Sequence, residues 1–120
     1  MLDLSIDNVG SLGIVECRGR IVRSESAFKL RRAVMSLRDS RFIVLDLSAV
    51  TALEGGGLGM LVFLERWAHD QGIDFRVFNP RKVVRARLEL MSSIQPINAV
   101  SLQELMALLA DANPEMPMAA

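Results

Sequence analysis

A chain of 120 residues has the length of one ordinary domain and is too short for two. Hydrophobic residues make up 51% of it and charged residues 23%, which excludes a disordered chain; with only 5% aromatics, the interior has to be filled by Leu, Val, Ile and Met. Fourteen basic residues balance fourteen acidic ones, so the overall attraction that drives nucleic-acid binding is missing, and one Cys with one His excludes disulfide scaffolds and zinc modules.

At the N-terminus Asp3 and Asp7 stand where a secretory signal requires a basic segment and an apolar run. The longest uncharged apolar stretch, Gly55 to Leu64, is about half of the ~20 residues that a membrane-spanning helix needs. The expectation is a cytoplasmic protein without direct membrane insertion, made of one domain over residues 1–112 and a flexible tail over 113–120.

Leu2, Leu4 and Ile6 alternate with polar residues, Asn8-Val9-Gly10 reads as a turn, and Leu12 to Arg18 returns as a second strand, which predicts a hairpin. Cys17 falls in that strand as a buried filler; nothing beside it in sequence would activate a thiol. Ser24 reads as an N-cap with Glu25 in the first turn. Ala27, Phe28, Leu30, Ala33, Val34 and Leu37 then recur at helical spacing to about Arg38, leaving Lys29, Arg31, Arg32 and Arg38 on the solvated side. Phe42 to Leu47 is a nearly continuous apolar run, as expected of a central strand covered on both faces.

A connection over Ser48 to Thr51 leads to the glycine cluster and a helix through Leu61, Leu64, Trp67 and Ala68 that stops near Gly72. A strand from Ile73 to Phe78, a turn at Asn79-Pro80 and a third helix over Val83, Val84, Leu88 and Met91 follow. Ile97 to Val100 reads as a last short strand, and Ser101 caps a final helix to about Ala110. This alternation predicts a single α/β domain with a parallel or mixed central sheet and about four helices.

Gly55, Gly56, Gly57 and Gly59 are the most unusual local feature, because glycine weakens a helix and is seldom gathered without a backbone reason. A helix start can bind phosphate, yet no Gly-Lys-Ser/Thr follows, Leu58 and Met60 stand where a dinucleotide motif needs glycine, and Glu54 adds negative charge. A sharp turn that brings the helix close to the sheet or to a partner is the simpler reading. The anion-binding alternative would use the turn with Arg81, Lys82 and Arg85. No Ser-His-Asp or Cys-His arrangement is recognisable, His69 reads as a surface or boundary residue, and Asp39 and Asp46 lack a motif, so no enzymatic activity and no cofactor are expected.

The run Val44-Leu45-Asp46-Leu47-Ser48 through Leu53-Glu54-Gly55-Gly56-Gly57-Leu58-Gly59 resembles the STAS domain of bacterial anti-sigma factor antagonists. Cys17 to Val22 leading into the first helix, and Phe75 to Pro80 followed by Val83, Val84 and Leu88, add to the likeness, which covers nearly the whole chain. In that family a serine preceding Gly-x-Gly is phosphorylated by a cognate kinase, and the unphosphorylated antagonist binds it. Here Glu54 stands at the family's Asp, Gly55 at its Ser/Thr and Gly56 at the phosphoacceptor, while Gly57 and Gly59 match.

The resemblance therefore implies a module for transcription regulation that docks an anti-sigma factor or serine-kinase-like protein through Glu54, Gly55, Gly56, Gly57, Leu58, Gly59 and Met60, with Met60 the better outward candidate. It also implies that the usual phosphate switch is lost at Gly56. Ser48, Thr51, Ser92 and Ser93 are alternative hydroxyls, although capping and turn bonds are their commoner use. A nucleotide-binding STAS domain and a STAS subunit of a lipid transporter are the competing implications, and a homodimer stays open.

Overall fold

The structure is a computed structural model of the chain, described over residues 2–22, 24–92 and 98–112. Period-two patterning at the N-terminus gives β1 (Leu2–Val9) and β2 (Leu12–Ile21), paired antiparallel from Leu2 opposite Gly19 to Val9 opposite Leu12. Gly10 makes the turn with φ of 58°, and a Cβ there would collide with the Ala112 carbonyl group.

Each following strand joins the previous one in parallel: β3 (Phe42–Leu53) beside β2, β4 (Asp74–Phe78) beside β3, and β5 (Asn98–Val100) beside β4. The five-stranded sheet therefore has the order β1-β2-β3-β4-β5 and is mixed. Its crossovers are α1 (Ser24–Met35), α2 (Gly56–Asp70) and α3 (Lys82–Ser92), with α4 (Leu102–Ala112) after the last strand. Because the strand order advances in one direction at every crossover, connections of one hand place α1 to α3 on one face. There Leu30, Val34, Leu61, Leu64, Val84 and Leu88 share a core with Val15, Ile43, Leu45 and Val77. On the other face Leu105 packs with Leu12, Val44 and Val100. The alternation of Ile43 and Leu45 with Val44 between the two cores explains the continuous apolar run of β3.

The predicted connection over Ser48 to Thr51 is instead strand. The Asp46 carboxylate accepts from the Ser48 N–H at 2.9 Å and from its hydroxyl at 2.6 Å, and the β2–β3 register slips between Glu16 and Arg18. The chain then resumes pairing, with Ala49 to Leu53 against Arg18 to Ile21, and buries Val50 and Leu53. β3 thus overhangs β4, which pairs only as far as Asp46. α3 lies beside the overhang: Arg81 Nε donates to the Ser48 carbonyl at 2.9 Å, and Arg87 meets Glu54 at its far end.

Helix α1 opens at Ser24 itself and ends at Met35, short of Arg38, where the Leu37 and Ser40 N–H groups bond back three residues to Val34 and Leu37. Phe28, expected in its apolar face, is 53% exposed, whereas Ala27, Leu30, Ala33 and Val34 are buried. Lys29 reaches the Leu2 carbonyl, tying α1 to the sheet edge. Ser101 caps α4 as expected, its hydroxyl accepting from the Glu104 N–H at 3.1 Å. Ile97 and the tail over 113–120 lie outside the described residues. Among the described residues no helix is long and apolar enough to cross a membrane.

Candidate functional site

At the end of the β3 overhang the Glu54 N–H donates to the Ile21 carbonyl at 3.2 Å, so the chain leaves the sheet from a fixed point. Gly55 turns it with φ 54° and ψ −122°, outside the comfortable range of a residue with a side chain. The Gly57 N–H then bonds to the Glu54 carbonyl at 3.0 Å and the Gly59 N–H to that of Gly55 at 3.1 Å, starting α2. Gly57 is buried, and a Cβ on it would overlap the Ile21 carbonyl. Glycine at 57 is therefore what lets the helix start press onto β2.

The other two glycines are exposed. A Cβ at Gly59 would meet nothing within 4 Å, so neither sterics nor backbone angle asks for glycine there. Gly56 and Gly59 fall on one side of α2 with Met60 and Phe63, at positions i, i+3, i+4 and i+7. That side starts as bare backbone and continues as apolar side chain.

Leu58 and Met60 are both half-buried and pack against the core, so Met60 is only partly the outward contact the sequence suggests. The more exposed apolar residue of the stripe is Phe63, at 44%, with the Arg31 guanidinium 5.1 Å from its ring centre and Arg31 Nε 3.4 Å from Met35 Sδ. Sequence reasoning missed Phe63, although its spacing from Gly56 and Gly59 could have revealed it. It also missed Arg87, which lies far from the motif in sequence.

Glu54 is held by Arg87, whose Nη2 lies 2.6 Å from Oε1. With about half of each side chain exposed, such a pair is worth roughly 0.2–1 kcal/mol. It occupies the carboxylate, so the negative charge of Glu54 at the turn is partly neutralised. The alternative anion site is not assembled: Arg81 binds the Ser48 carbonyl, Arg87 rather than Arg81, Lys82 or Arg85 reaches the turn, and the Gly57 N–H is already used. Of the alternative hydroxyls, Ser48 donates to Asp46 and Thr51 to the Gly19 carbonyl at 3.3 Å, while Ser93 and the Ser92 side chain lie outside the described residues.

Cys17 is buried, and its thiol is pushed up to about 12 by burial first and by the nearby Asp46 charge second, which leaves it inert at neutral pH. His69 is exposed beside Asp70. On β4 the Arg76 guanidinium grips the Asp74 carboxylate at 2.9 and 3.0 Å and reaches Glu104 of α4 at 3.5 Å; the hydrogen bond to Asp74 raises its pKa further. Among the described residues no cluster of His, Cys, Asp and Glu could hold a metal ion.

A family model described as the STAS domain matches residues 3–104. The fold is shared with solved structures of low identity. The anti-sigma factor antagonist SpoIIAA in its unphosphorylated form is 11% identical, with a TM-score of 0.73 over 91% of this chain and 97% of that one. An anti-sigma factor antagonist from Mycobacterium paratuberculosis is 18% identical, with a TM-score of 0.74 over 92% and 96%. A murine Solute Carrier 26 anion transporter is 16% identical, with a TM-score of 0.70 over 89% of this chain but only 19% of the transporter. A comparison with curated protein sequences found no match.

Proposed function

The chain belongs to the STAS domain family, and from that premise we propose that it is a regulatory protein-binding module that docks an anti-sigma factor or serine-kinase-like partner through the glycine turn and the outer side of α2. The observation that carries this reading is Gly59. Glycine inside a helix costs about 1 kcal/mol relative to alanine, and at this position no contact or backbone angle recovers that cost. Bare backbone at Gly56 and Gly59 instead allows a partner to approach α2 closely, with Met60, Phe63 and Arg31 beside it as larger contacts. Aromatic and Arg side chains of this kind are common anchors in protein interfaces.

Glycine at 56 has no hydroxyl to accept phosphate, and the hydroxyls of Ser48 and Thr51 are engaged in holding the strand. Docking is accordingly constitutive, without the charge of about −1.5 to −2 that a phosphate would add to the interface. Incubation with candidate anti-sigma kinases, with and without ATP, followed by size exclusion and intact-mass measurement, tests both parts. A stable complex with unchanged mass is expected in either case. A gain of about 80 Da would show phosphate transfer and end the constitutive reading, and no complex with any candidate would remove the docking reading.

A further inference from the structure

Strands β4 and β5 are neighbours, yet the chain leaves them on opposite sides: α3 follows β4 onto one face and α4 follows β5 onto the other. Where adjacent parallel strands send their connections apart, the carboxyl end of the sheet opens into a crevice, and open α/β sheets bind ligands at such points. That crevice is present here. A cleft of about 380 Å³ lies between Phe78, Asn79 and Pro80 of the β4–α3 junction and Val100 and Leu102 of the β5–α4 junction, with Arg85 also lining it.

Its lining combines apolar side chains with the neutral polar Asn79 and Ser101 and one cation, Arg85. Phe78, Pro80 and Val100 supply an apolar wall, and Leu102 extends it at the rim, where it is 63% exposed. Arg85 faces no carboxylate within ion-pair distance among the described residues, and Glu104, the acid of the first turn of α4, is committed to Arg76 and to the Ser101 N–H. Asn79 holds the β4–α3 junction at φ 49°, a conformation that residues other than glycine adopt uncommonly and that recurs at ligand sites. The volume sits at the low end of the ~300–1,000 Å³ usual for small-molecule sites, which favours a compact ligand over a dinucleotide.

We propose that this cleft binds a compact organic anion, a phosphate or carboxylate carried on an apolar or aromatic body, with Arg85 taking the anion and Phe78, Pro80, Val100 and Leu102 packing against the body. The site shares no residue with the glycine turn, so it stands or falls independently of partner docking.

Titration of the ¹⁵N-labelled full chain with phenyl phosphate and benzoate, followed by amide chemical shifts, tests the assignment. Inorganic phosphate serves as the bare anion and benzyl alcohol as the neutral body. Saturable shifts at Asn79, Arg85 and Ala99 to Leu102 are expected for the two organic anions, with a dissociation constant on the order of 1 mM, a loss of about tenfold for inorganic phosphate and no saturation by benzyl alcohol. Arg85→Gln should weaken phenyl phosphate about tenfold. Leu102→Glu places an acid at the start of α4, where the fold tolerates it, and should abolish saturation without lowering Tm. Shifts that fail to saturate, that centre on Gly55 to Met60, or that survive Arg85→Gln unchanged would overturn the proposal.

Discussion

The two ends of the sheet are both turned by glycine, and they use it differently. At the hairpin end Gly10 answers two demands at once, a positive φ and the press of the end of α4 against the turn. At the opposite end those demands are divided: Gly55 has the positive φ, Gly57 has the crowding against Ile21, and Gly59 has neither. A packed turn thus explains its glycine, whereas the exposed turn keeps Gly59, which neither backbone angle nor crowding requires. The docking we propose is what would account for that remainder.

Gly57→Ala is the strongest way to test that division. It should cost about 3 kcal/mol in urea unfolding, since either the helix start or the Ile21 carbonyl must move. A loss below about 1 kcal/mol would mean that the crowding is relieved easily and the contrast with Gly59 is weak. Gly55→Ala should lose about 1–2 kcal/mol through its backbone angle, without any steric overlap. Gly59→Ala should move the other way, gaining about 0.5–1 kcal/mol while weakening partner capture; a stabilised variant that binds as well as the parent would remove the functional account of that glycine.

Smaller effects sharpen the contrast. Arg87→Gln should change stability by no more than about 1 kcal/mol and lose even that at high salt, because both partners of the Glu54 pair are well exposed. Cys17 lies within β2, outside both turns, and ionisation of its buried thiol contributes nothing at neutral pH. Its thiol stays protonated in the folded chain up to about 12 but ionises near 9 when unfolded, so unfolding is favoured progressively as pH rises between those values. Melting curves of Cys17→Ala should therefore show a shallower alkaline loss than the parent, and an identical slope would show that the thiol is not responsible.

The order of strands and helices was legible because each element carries its own period, and the glycine motif was legible because its spacing is local. Three features were not. Ser48 and Thr51 read as loop residues because their polarity hides an extended segment whose hydroxyls are satisfied by Asp46 and Gly19. Phe28 read as core because periodicity fixes an apolar stripe only to within one position, and this side chain falls at its exposed margin. Arg81, Lys82 and Arg85 read as one cationic group, but each cation's direction depends on the helix phase and on what lies beyond the β3 overhang. Arg81 turns to the Ser48 carbonyl and Arg85 to the cleft.

That overhang has a further consequence for solubility. Past Asp46, no strand among the described residues pairs with β3 on its β4 side, and an unguarded run of backbone N–H and C=O groups would invite a strand from another molecule. α3 lies along this edge, with Val84 and Leu88 buried beneath it and Arg81 capping one carbonyl. Besides closing the core, the helix acts as a guard against intermolecular strand addition, so loosening it would show first as aggregation rather than as simple unfolding.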